Sequence, residues 1–559
     1  MPLPDSGTYP ISNKDVVSFT FDDPDYDTNR PVLIDPVNPA VYYTHTTSRR
    51  LVRQLIAGLY AAGLQKGDTV CVHSFNSLTY PLLILAIIGA GGLSVGTNPS
   101  YTRHELSHGV KVAKVKWVFA EPEILSNMTT ALNENGIAVG QRLFVFDTVE
   151  GQKVPEGSGL KSWRTLLEYG EKDWITFDNE EISRETVAQL YYTSGTTGLP
   201  KCAQTTHRNL VAEHQMFYEA WPRSYRYRVI LCMPFFHVGI LPQVLVSAIK
   251  EGREAYVMRR FELENYLRYT KKYQITETFM VPPMVVSIVM SGFADEKSKT
   301  YKPEFSMRSV KNGTVGAAPL DGSMQKRFQA LLSPGATFGQ VWGMTETTSM
   351  AAIVPWDVSR KQSAGKMENA WGNVGRPLPC NKMKLIDEHG KDVTDQGRGE
   401  LCVKGPTVVK GYFENAKATQ ESWDSEGFFK TGDVLRLDKE TGLLFVEERV
   451  KELIKVRGFQ VAPAELEGVL LSHADIIDAA VIGKKLENDA EAPKAFVVKR
   501  RGSSLTADDI QAHMKERLAR YKQLEGGIQF VESIPKLPSG KILKRVLREA
   551  EKEGRSAKL

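Results

Sequence analysis

Apolar and polar positions form two kinds of pattern along the first part of the chain. Stretches with an apolar residue every three or four positions predict amphipathic helices, as in SRRLVRQLIAGLYAAGL from Ser48. Short apolar runs bounded by turn-forming residues predict buried strands, as in TVCVHS, KWVFAE and RLFVFD. Strands alternating with helices are typical of β-α units around a largely parallel sheet. The sequence therefore predicts an α/β first body.

The pattern then repeats and changes. A second α/β unit is predicted from YRVILCMPFF, VPPMVVSIVMSGF and SVKNGTVGAAPL. From Lys382 shorter strand-like runs predict a barrel-like or meandering antiparallel sheet, and after Gly458 the order helix, strand, strand, helix predicts a compact α+β unit. We expect a large N-terminal domain over residues 1–449, made of two α/β subdomains and the barrel-like part, and a small α+β C-terminal domain over 450–559.

Composition narrows the functional classes. The chain has 559 residues, of which 42% are hydrophobic and 25% charged, as in ordinary globular proteins. A net charge of +5 over this length does not favour nucleic acid as a partner. The most apolar window, residues 78–96, contains Pro81 and several glycines and is predicted to be a buried helix rather than a membrane span.

Cysteine usage and the start of the chain suggest a reducing compartment. The five cysteines are widely spaced and form no C-x-x-C pair, so neither zinc nor a redox dithiol is indicated. The first 30 residues lack the basic start and apolar run of a signal peptide. We therefore do not expect secretion, and the sequons at Asn127 and Asn312 are interpreted as chance matches.

One loop carries the most chemical information. The segment YYTSGTTGLPK, residues 191–201, follows a strand-like run and combines two glycines, four hydroxyl side chains and a closing lysine. Glycines allow close backbone approach, hydroxyls donate hydrogen bonds and lysine supplies charge, so the loop is suited to a polyphosphate. It does not fit the G-x-x-x-x-G-K-[ST] pattern, because Leu199 and Pro200 separate the second glycine from Lys201.

This loop resembles the phosphate loop of the acyl-adenylate-forming superfamily, which includes acyl-CoA synthetases, peptide-synthetase adenylation domains and luciferases. Further motifs of that superfamily follow in order: CMPFFHVGIL (232–241), VGAAPL (315–320), GQVWGMTETT (339–348), GNVGRPLP (372–379), GELCVKGPTVVKGYF (399–413), FFKTGDV (428–434), ERVKELIKVRGFQVAPAELE (448–467) and PKLPSGKILKR (535–545). The last two are most similar to the 4-coumarate:CoA ligase-like branch.

The resemblance implies an AMP-forming acid:CoA ligase. A carboxylate attacks the α-phosphate of ATP to give acyl-AMP and pyrophosphate, and the thiol of coenzyme A then displaces AMP. Both steps develop negative charge on oxygens, which cations and fixed donors stabilise. The implied substrates are ATP, coenzyme A and a small carboxylic acid, with Mg²⁺ as the metal.

The resemblance also assigns residues to the nucleotide. Glu346 is the expected Mg²⁺ ligand, and Thr345 is expected to bond the α-phosphate. Asp433 is expected to accept from the ribose hydroxyls, with Arg449 behind it. The phosphates are assigned to Thr193, Ser194, Gly195, Thr196, Thr197, Gly198 and Lys201. The adenine is assigned to Gly316, Ala317, Ala318, Pro319, Gln340, Val341, Trp342 and Gly343.

The C-terminal domain is implied to be a mobile lid. Lys541 resembles the catalytic lysine that bridges the acid carboxylate and the α-phosphate, and Lys451 lies where the family has its hinge. Lys455 and Gln460 match residues that contact the adenylate. Coenzyme A is assigned to Arg260, Arg457, Gly458 and Phe459.

The acyl pocket is implied to contain Phe236, His237, Ile240, Gly316 and Val341, with His237 as a gate that transfers no proton. Two departures from the 4-coumarate:CoA ligase pattern affect this pocket. Val341 replaces a glycine, and the residues after His237 lack the tyrosine and serine that would meet a phenolic hydroxyl. We therefore predict an apolar aryl acid or a medium-chain alkyl acid, because discrimination for a hydroxyl needs partners for it.

Three alternatives remain open. A peptide-synthetase function is weaker, since no acid near Phe236 would pair with an α-ammonium group. A luciferase-like or stand-alone adenylating enzyme would share the first half-reaction. Ser94 also satisfies the G-x-S-x-G pattern of α/β-hydrolases, although the run before it is predicted to be helical, whereas a nucleophile elbow follows a strand.

The last three residues, Ala557-Lys558-Leu559, resemble the S-K-L type of peroxisomal address. This predicts recognition by a peroxisomal import receptor and a peroxisomal rather than cytoplasmic location.

Overall fold

The computed structural model describes residues 7–193, 200–317, 320, 322–363, 371–387, 389–449, 454–457, 459–461, 463–486, 490–535 and 544–552. The strands in chain order are β1 (Pro31–Ile34), β2 (Tyr42–Thr44), β3 (Thr69–His73), β4 (Leu93–Thr97), β5 (Val115–Ala120), β6 (Leu143–Val145), β7 (Lys161–Ser162), β8 (Val187–Thr193), β9 (Lys201–Thr206), β10 (Arg228–Leu231), β11 (Glu254–Val257), β12 (Glu277–Met280), β13 (Asn312–Val315), β14 (Thr337–Trp342), β15 (Ala352–Ile353), β16 (Arg376–Pro377), β17 (Lys382–Ile386), β18 (Arg398–Lys404), β19 (Phe429–Leu437), β20 (Leu444–Arg449), β21 (Ile454–Val456), β22 (Phe459–Val461), β23 (Ile476–Lys485), β24 (Glu491–Lys499) and β25 (Gly527–Phe530).

The α-helices are α1 (Val16–Phe21), α2 (His45–Ala62), α3 (Tyr80–Gly89), α4 (Arg103–Val112), α5 (Leu125–Glu134), α6 (Val139–Arg142), α7 (Glu180–Glu185), α8 (His207–His214), α9 (Leu241–Lys250), α10 (Leu263–Lys272), α11 (Pro282–Ser291), α12 (Gly322–Gln329), α13 (Trp356–Ser363), α14 (Ala416–Ser422), α15 (Pro463–Leu471), α16 (Ala507–Arg517) and α17 (Lys544–Lys552).

Two mostly parallel sheets form the large N-terminal domain. The first has the order β7-β6-β5-β3-β4-β8-β9, in which only the β8–β9 pair is antiparallel. The second has the order β16-β15-β14-β13-β12-β10-β11-β1-β2, with a parallel centre from β14 to β1. Helices between the parallel strands bury their apolar sides, as the alternating pattern predicts. The expected pair of α/β subdomains is confirmed.

A four-stranded antiparallel meander follows, in the order β17-β18-β19-β20, where the sequence predicted a barrel-like or meandering sheet. The small C-terminal domain contains the β21–β22 hairpin and the three-stranded sheet β23-β24-β25. Ile454 and Val456 pack in the same core as α15 and α16. The helix, strand, strand, helix order predicted for this domain is confirmed in α15, β23, β24 and α16.

The apolar window 78–96 is divided between two elements. Every residue of α3 is buried, which agrees with the predicted buried helix. The chain then turns at Gly91, whose φ of +82° suits glycine, and continues as the strand β4. Within the described residues, no helix is long and apolar enough to cross a membrane. Ser94 lies inside β4 and accepts a hydrogen bond from Gln189 (3.1 Å), so it does not occupy a strand-to-helix elbow.

Candidate functional site

The ends of the β8–β9 hairpin define the base of the predicted phosphate loop. Thr193 and Lys201 are directly opposite each other in the antiparallel register, so residues 194–200 connect the two strands. Several predicted site residues lie outside the described part of the chain: Ser194, Gly195, Thr196, Thr197, Gly198, Ala318, Pro319, Lys451, Gly458, Lys541 and the terminal Ala557-Lys558-Leu559.

A buried carboxylate lies beside this hairpin. Glu346 is 4% exposed, and its Oε1 accepts hydrogen bonds from the hydroxyls of Thr193 (3.0 Å) and Tyr412 (2.8 Å). The Glu346 backbone carbonyl accepts from Val409 N (3.0 Å). The carboxylate is therefore fixed by the end of β8 and by the segment that precedes α14. This places Glu346 beside the hairpin whose ends flank the predicted phosphate loop.

Tyr412 links the carboxylate to the predicted phosphate-binding lysine. The Nζ of Lys201 lies 5.1 Å from the centroid of the Tyr412 ring. Burial and the neighbouring Glu346 raise the pKa of the Tyr412 hydroxyl well above its usual value, so the group remains a hydrogen-bond donor. The sequence analysis quoted Tyr412 within the motif GYF but gave it no role.

The predicted adenine segments meet where β13 and β14 run side by side. Gly316 follows β13, and a Cβ at Gly316 would lie only 2.7 Å from Val341 Cγ2. Ala317 adopts a positive φ of 66°. The side-chain Oε1 of Gln340 accepts from Leu320 N (2.6 Å). These contacts show why a glycine is needed at position 316 and confirm that the two predicted segments are adjacent.

The predicted ribose-binding aspartate is also buried and held in place. Asp433 is 4% exposed, and its Oδ2 accepts a hydrogen bond from the indole Nε1 of Trp342 (3.0 Å). The neighbouring Gly432 donates its backbone N–H to Glu400 (2.8 Å). Asp433 and Arg449 are paired in the antiparallel register of β19 and β20.

Three of the residues assigned to the acyl pocket, Phe236, His237 and Ile240, lie between β10 and α9. Ile240 is buried, Phe236 is half-buried and His237 remains accessible to solvent. The Nδ1 of His237 accepts from Gly239 N (3.0 Å), which leaves the proton of the neutral ring on Nε2. Surrounding protein still lowers the pKa of His237 through desolvation. The role of His237 as a gate stays a prediction.

Asn76 positions this segment and was missed by the sequence analysis. Its amide donates to the carbonyls of Met233 (2.9 Å) and Met258 (3.1 Å), and its Oδ1 accepts from Phe235 N (2.9 Å). Asn76 belongs to the loop after β3 in the other α/β sheet. The buried Asn76 side chain thus connects the two sheets beside the predicted pocket. No local sequence pattern indicates this contact.

The described candidates for coenzyme A, Arg260, Arg457 and Phe459, each have a partner within their own domain. Arg260 is exposed and pairs with Glu262 (3.1 Å), and Arg457 pairs with Glu525 of its own domain (2.9 Å). Phe459 stacks on Tyr521 at 4.3 Å between ring centroids. Lys455 and Gln460 are paired across the β21–β22 hairpin, and Lys455 N donates to Glu491 (2.8 Å).

The two domains meet at a buried cluster of charges. The Nζ of Lys522, a residue 4% exposed, lies 2.7 Å from Glu105 of the N-terminal domain and 2.9 Å from Glu465 of the C-terminal domain. The Thr102 hydroxyl also donates to the Arg517 carbonyl across the interface (2.8 Å). These residues were not predicted, because single charges far apart in sequence give no local signal.

Comparisons with known proteins agree with this geometry. The model of the AMP-binding enzyme family matches residues 23–413, and that of the AMP-binding enzyme C-terminal domain matches residues 465–541. A phenylacetyl-CoA ligase of Aspergillus niger is 43% identical over 98% of both chains. A 4-coumarate–CoA ligase of Vanilla planifolia is 33% identical, covering 98% of this chain and 95% of its own.

A similar solved structure is that of o-succinylbenzoate CoA synthetase from Bacillus subtilis, bound with a product analogue. Its TM-score is 0.75 at 25% identity, and the match covers 93% of this chain and 96% of the other. The similarity extends over both the large and the small domain.

Proposed function

Because the chain belongs to the AMP-binding enzyme family and is an acid:CoA ligase that works through an acyl-adenylate, we propose that the Glu346 site forms the adenylate of an apolar aryl acid. The observation that carries this proposal is the buried Glu346 carboxylate, which Thr193 and Tyr412 hold by hydrogen bonds while Lys201 lies against the Tyr412 ring. Donors and charges held in such an arrangement stabilise the oxygens on which charge develops.

We propose that Glu346 also holds Mg²⁺ with the phosphates of ATP. The described residues contain no cluster of three or more His, Cys, Asp and Glu side chains suited to a metal. Mg²⁺ in phosphate-transfer sites commonly uses one or two carboxylates together with substrate phosphates, so a single carboxylate suffices. Both hydroxyl donors reach Oε1, which orients the group for a hard cation at Oε2. When bound, the cation would neutralise charge on the phosphates.

The nucleotide would extend from this point to Asp433. The Trp342 bond fixes one oxygen of the Asp433 carboxylate, and we propose that the carboxylate accepts from the ribose hydroxyls. Thr345 begins the helical turn that contains Glu346 and would bond the α-phosphate. Lys541, together with Lys455 and Gln460 of the same predicted domain, would close the site during adenylation. Gly458 and Arg457 would face coenzyme A after rotation about Lys451.

For the acid, the structure supports an apolar binding wall. Val341 is buried among Met216, Phe217 and Met350, and its side chain contacts the position where a Cβ of Gly316 would lie. The 43% identical relative is a phenylacetyl-CoA ligase, which favours an arylacetic or related aryl acid. A medium-chain alkyl acid is the alternative with the same apolar chemistry.

Acid-dependent exchange of pyrophosphate into ATP tests the proposal directly. We expect phenylacetate, cinnamate or octanoate to support exchange better than 4-coumarate, because the pocket lacks partners for a phenolic hydroxyl. Glu346→Gln should reduce exchange by roughly 100-fold, as expected for a group that stabilises charge in the transition state. A preference for 4-coumarate, or full activity of the variant, would contradict the proposal.

We further propose peroxisomal import through Ala557-Lys558-Leu559, which resemble the S-K-L address. A fluorescent protein carrying the last residues should enter peroxisomes, and deletion of Leu559 should leave the fusion in the cytosol. Cytosolic fluorescence of the intact fusion would refute this location.

A further inference from the structure

Glu213 is a carboxyl group in an apolar environment where a charge is costly. It lies on α8, is 1% exposed, and its neighbours Ala212 and Met216 pack in one core cluster with Val341 and Met350. The helix continues into a π-helical turn over Gln215–Glu219. Such turns are rare and occur frequently at functional sites. A buried acid here therefore needs a specific explanation.

One oxygen of Glu213 has a defined partner. Its Oε1 accepts a hydrogen bond from the backbone N–H of Met350 (3.1 Å). Its Oε2 is buried and has no hydrogen-bond partner among the described residues. Desolvation raises the pKa of Glu213 well above its usual value, so the group is a neutral acid. The side chain thus acts as a neutral acceptor for one backbone group.

The backbone that Glu213 holds is in an unusual conformation. Thr348 and Ser349 have φ values of +55° and +97°, which cost roughly 1–3 kcal/mol each unless the surroundings enforce them. The Thr348 hydroxyl donates to the Thr407 carbonyl (2.6 Å), and the Ser349 hydroxyl donates to the Gly239 carbonyl (3.1 Å). Together with the hydrogen bond from Met350 N to Glu213, these contacts attach residues 348–350 to three separate parts of the protein.

This segment joins the two ends of the proposed site. It starts at Glu346, beside the phosphate hairpin, and leads to β15, where Ile353 pairs with Val341. The Ser349 bond also reaches the loop that contains His237. A shift of this backbone would therefore move the wall of the acyl pocket relative to the carboxylate at the phosphates.

We propose that Glu213 is a positioning residue for the carboxylic acid substrate, acting through Met350 on the wall shared with Val341. The inference rests on the proposed acyl pocket. It requires that loss of the Glu213 acceptor weakens recognition of the acid more than recognition of ATP or coenzyme A.

Kinetics of Glu213→Gln and Glu213→Leu test this requirement. Gln keeps a neutral oxygen acceptor of the same reach, so KM for the acid should remain within about 2-fold of wild type. Leu leaves Met350 N–H without its acceptor, so KM for the acid should rise about 10-fold or more, while KM for ATP and coenzyme A changes by less than about 2-fold. Glu219→Gln removes a carboxylate from the same helical segment and is the matched control, with no selective effect expected.

Equal changes in all three KM values, wild-type kinetics of the Leu variant, or a Gln variant as impaired as Leu would overturn the proposal. If the Leu variant does not fold, Ser349→Ala removes the neighbouring anchor and should raise KM for the acid in the same selective way. All variants are tested with an acid that the wild-type enzyme activates. Failure of the wild type with every aryl and alkyl acid would instead overturn the proposed substrate class.

Discussion

At the scale of single residues, hydrogen bonds set the orientation of the Glu346 carboxylate. Its two hydroxyl donors, Thr193 and Tyr412, come from distant parts of the sequence and converge on the same oxygen. Hydrogen bonds to charged groups contribute more than neutral ones, about 1.5–3 kcal/mol each. The orientation of Glu346 therefore depends on both donors.

Tyr412→Phe should slow adenylation about 10-fold or more, because it removes one of these donors and lets the carboxylate rotate. The ring remains, so its contact with Trp423 and the position of Lys201 over it should be preserved and stability should change little. Single-turnover formation of acyl-AMP measures the effect. Tyr60→Phe, whose hydroxyl bonds Ala90 far from the site, serves as the control. An unchanged rate for Tyr412→Phe would show that Thr193 alone orients the carboxylate.

Glu213 also predicts how stability depends on pH. Its pKa is raised in the folded state above the ordinary value of 4.5, so its contribution is fully present below that value and is lost as pH rises. Glu213→Gln cannot ionise and avoids this loss. The difference in Tm between the variant and wild type should therefore increase in favour of the variant from pH 5 to pH 8. A difference that stays constant over this range would mean that Glu213 ionises as readily in the folded protein as in the unfolded chain.

Residues were predictable when their role is encoded in a contiguous motif. Glu346 and Asp433 were assigned in this way, and the structure places both as buried, bonded carboxylates. Tyr412, Asn76 and Glu213 were not assigned, because each acts through a contact with a segment far away in sequence. A glutamate on an apolar helix carries no signal of its partner until that helix is packed.

At the scale of elements, the strands and helices follow the hydrophobic pattern closely. The pattern did not resolve one boundary, the one between α3 and β4. The apolar window 78–96 was predicted to be one buried helix, but Gly91 and its neighbours end α3 and allow β4 to begin. Helix and strand are hard to distinguish in such a window because both are completely buried. The strand matters for the site, since its residue Gly96 lies against Phe236.

Gly96→Ala should disturb the predicted acyl pocket. An added Cβ would lie 2.7 Å from Phe236 Cβ and 2.8 Å from the Tyr80 hydroxyl, so the loop before α9 would have to move. We expect a loss of about 1–3 kcal/mol in stability, typical of overpacking, together with a higher KM for the acid. Urea unfolding and steady-state kinetics measure the two effects. Gly140→Ala on α6, where the added Cβ meets nothing within 4 Å, is the matched control. Wild-type values for Gly96→Ala would mean that Phe236 can yield without consequence for the acid.

At the scale of the whole molecule, α4 connects the C-terminal domain with the phosphate hairpin. Glu105 uses Oε2 to complete the capping box of α4 with Thr102 and Oε1 to bind Lys522 of the other domain. On the same helix, the Gly109 carbonyl accepts from the Tyr192 hydroxyl (2.8 Å). His108, Tyr192 and Pro200 line one cavity. Tyr192 and Pro200 lie on either side of residues 194–199, so one helix contacts both flanks of that loop and the docked domain.

Loss of the Lys522 cation should weaken the contact between the two domains. Lys522→Met leaves Glu105 and Glu465 buried without their cation, a change that typically costs about 3–5 kcal/mol and that separation of the domains would relieve. Glu105→Gln keeps the Lys522–Glu465 pair inside the C-terminal domain and should weaken only the contact between domains.

Hydrogen exchange measured by mass spectrometry distinguishes the two variants. Both should increase exchange in α4 and around Arg517, whereas only Lys522→Met should also loosen the packing of α15, which carries Glu465. Lys515→Met, an exposed position on α16, is the control for charge alone. Because α4 bonds Tyr192 and lines one cavity with Pro200, the increased exchange should extend to the β8–β9 hairpin. Unchanged exchange in α4 for both variants would show that apolar packing, and not the buried Lys522 cluster, holds the C-terminal domain in this arrangement.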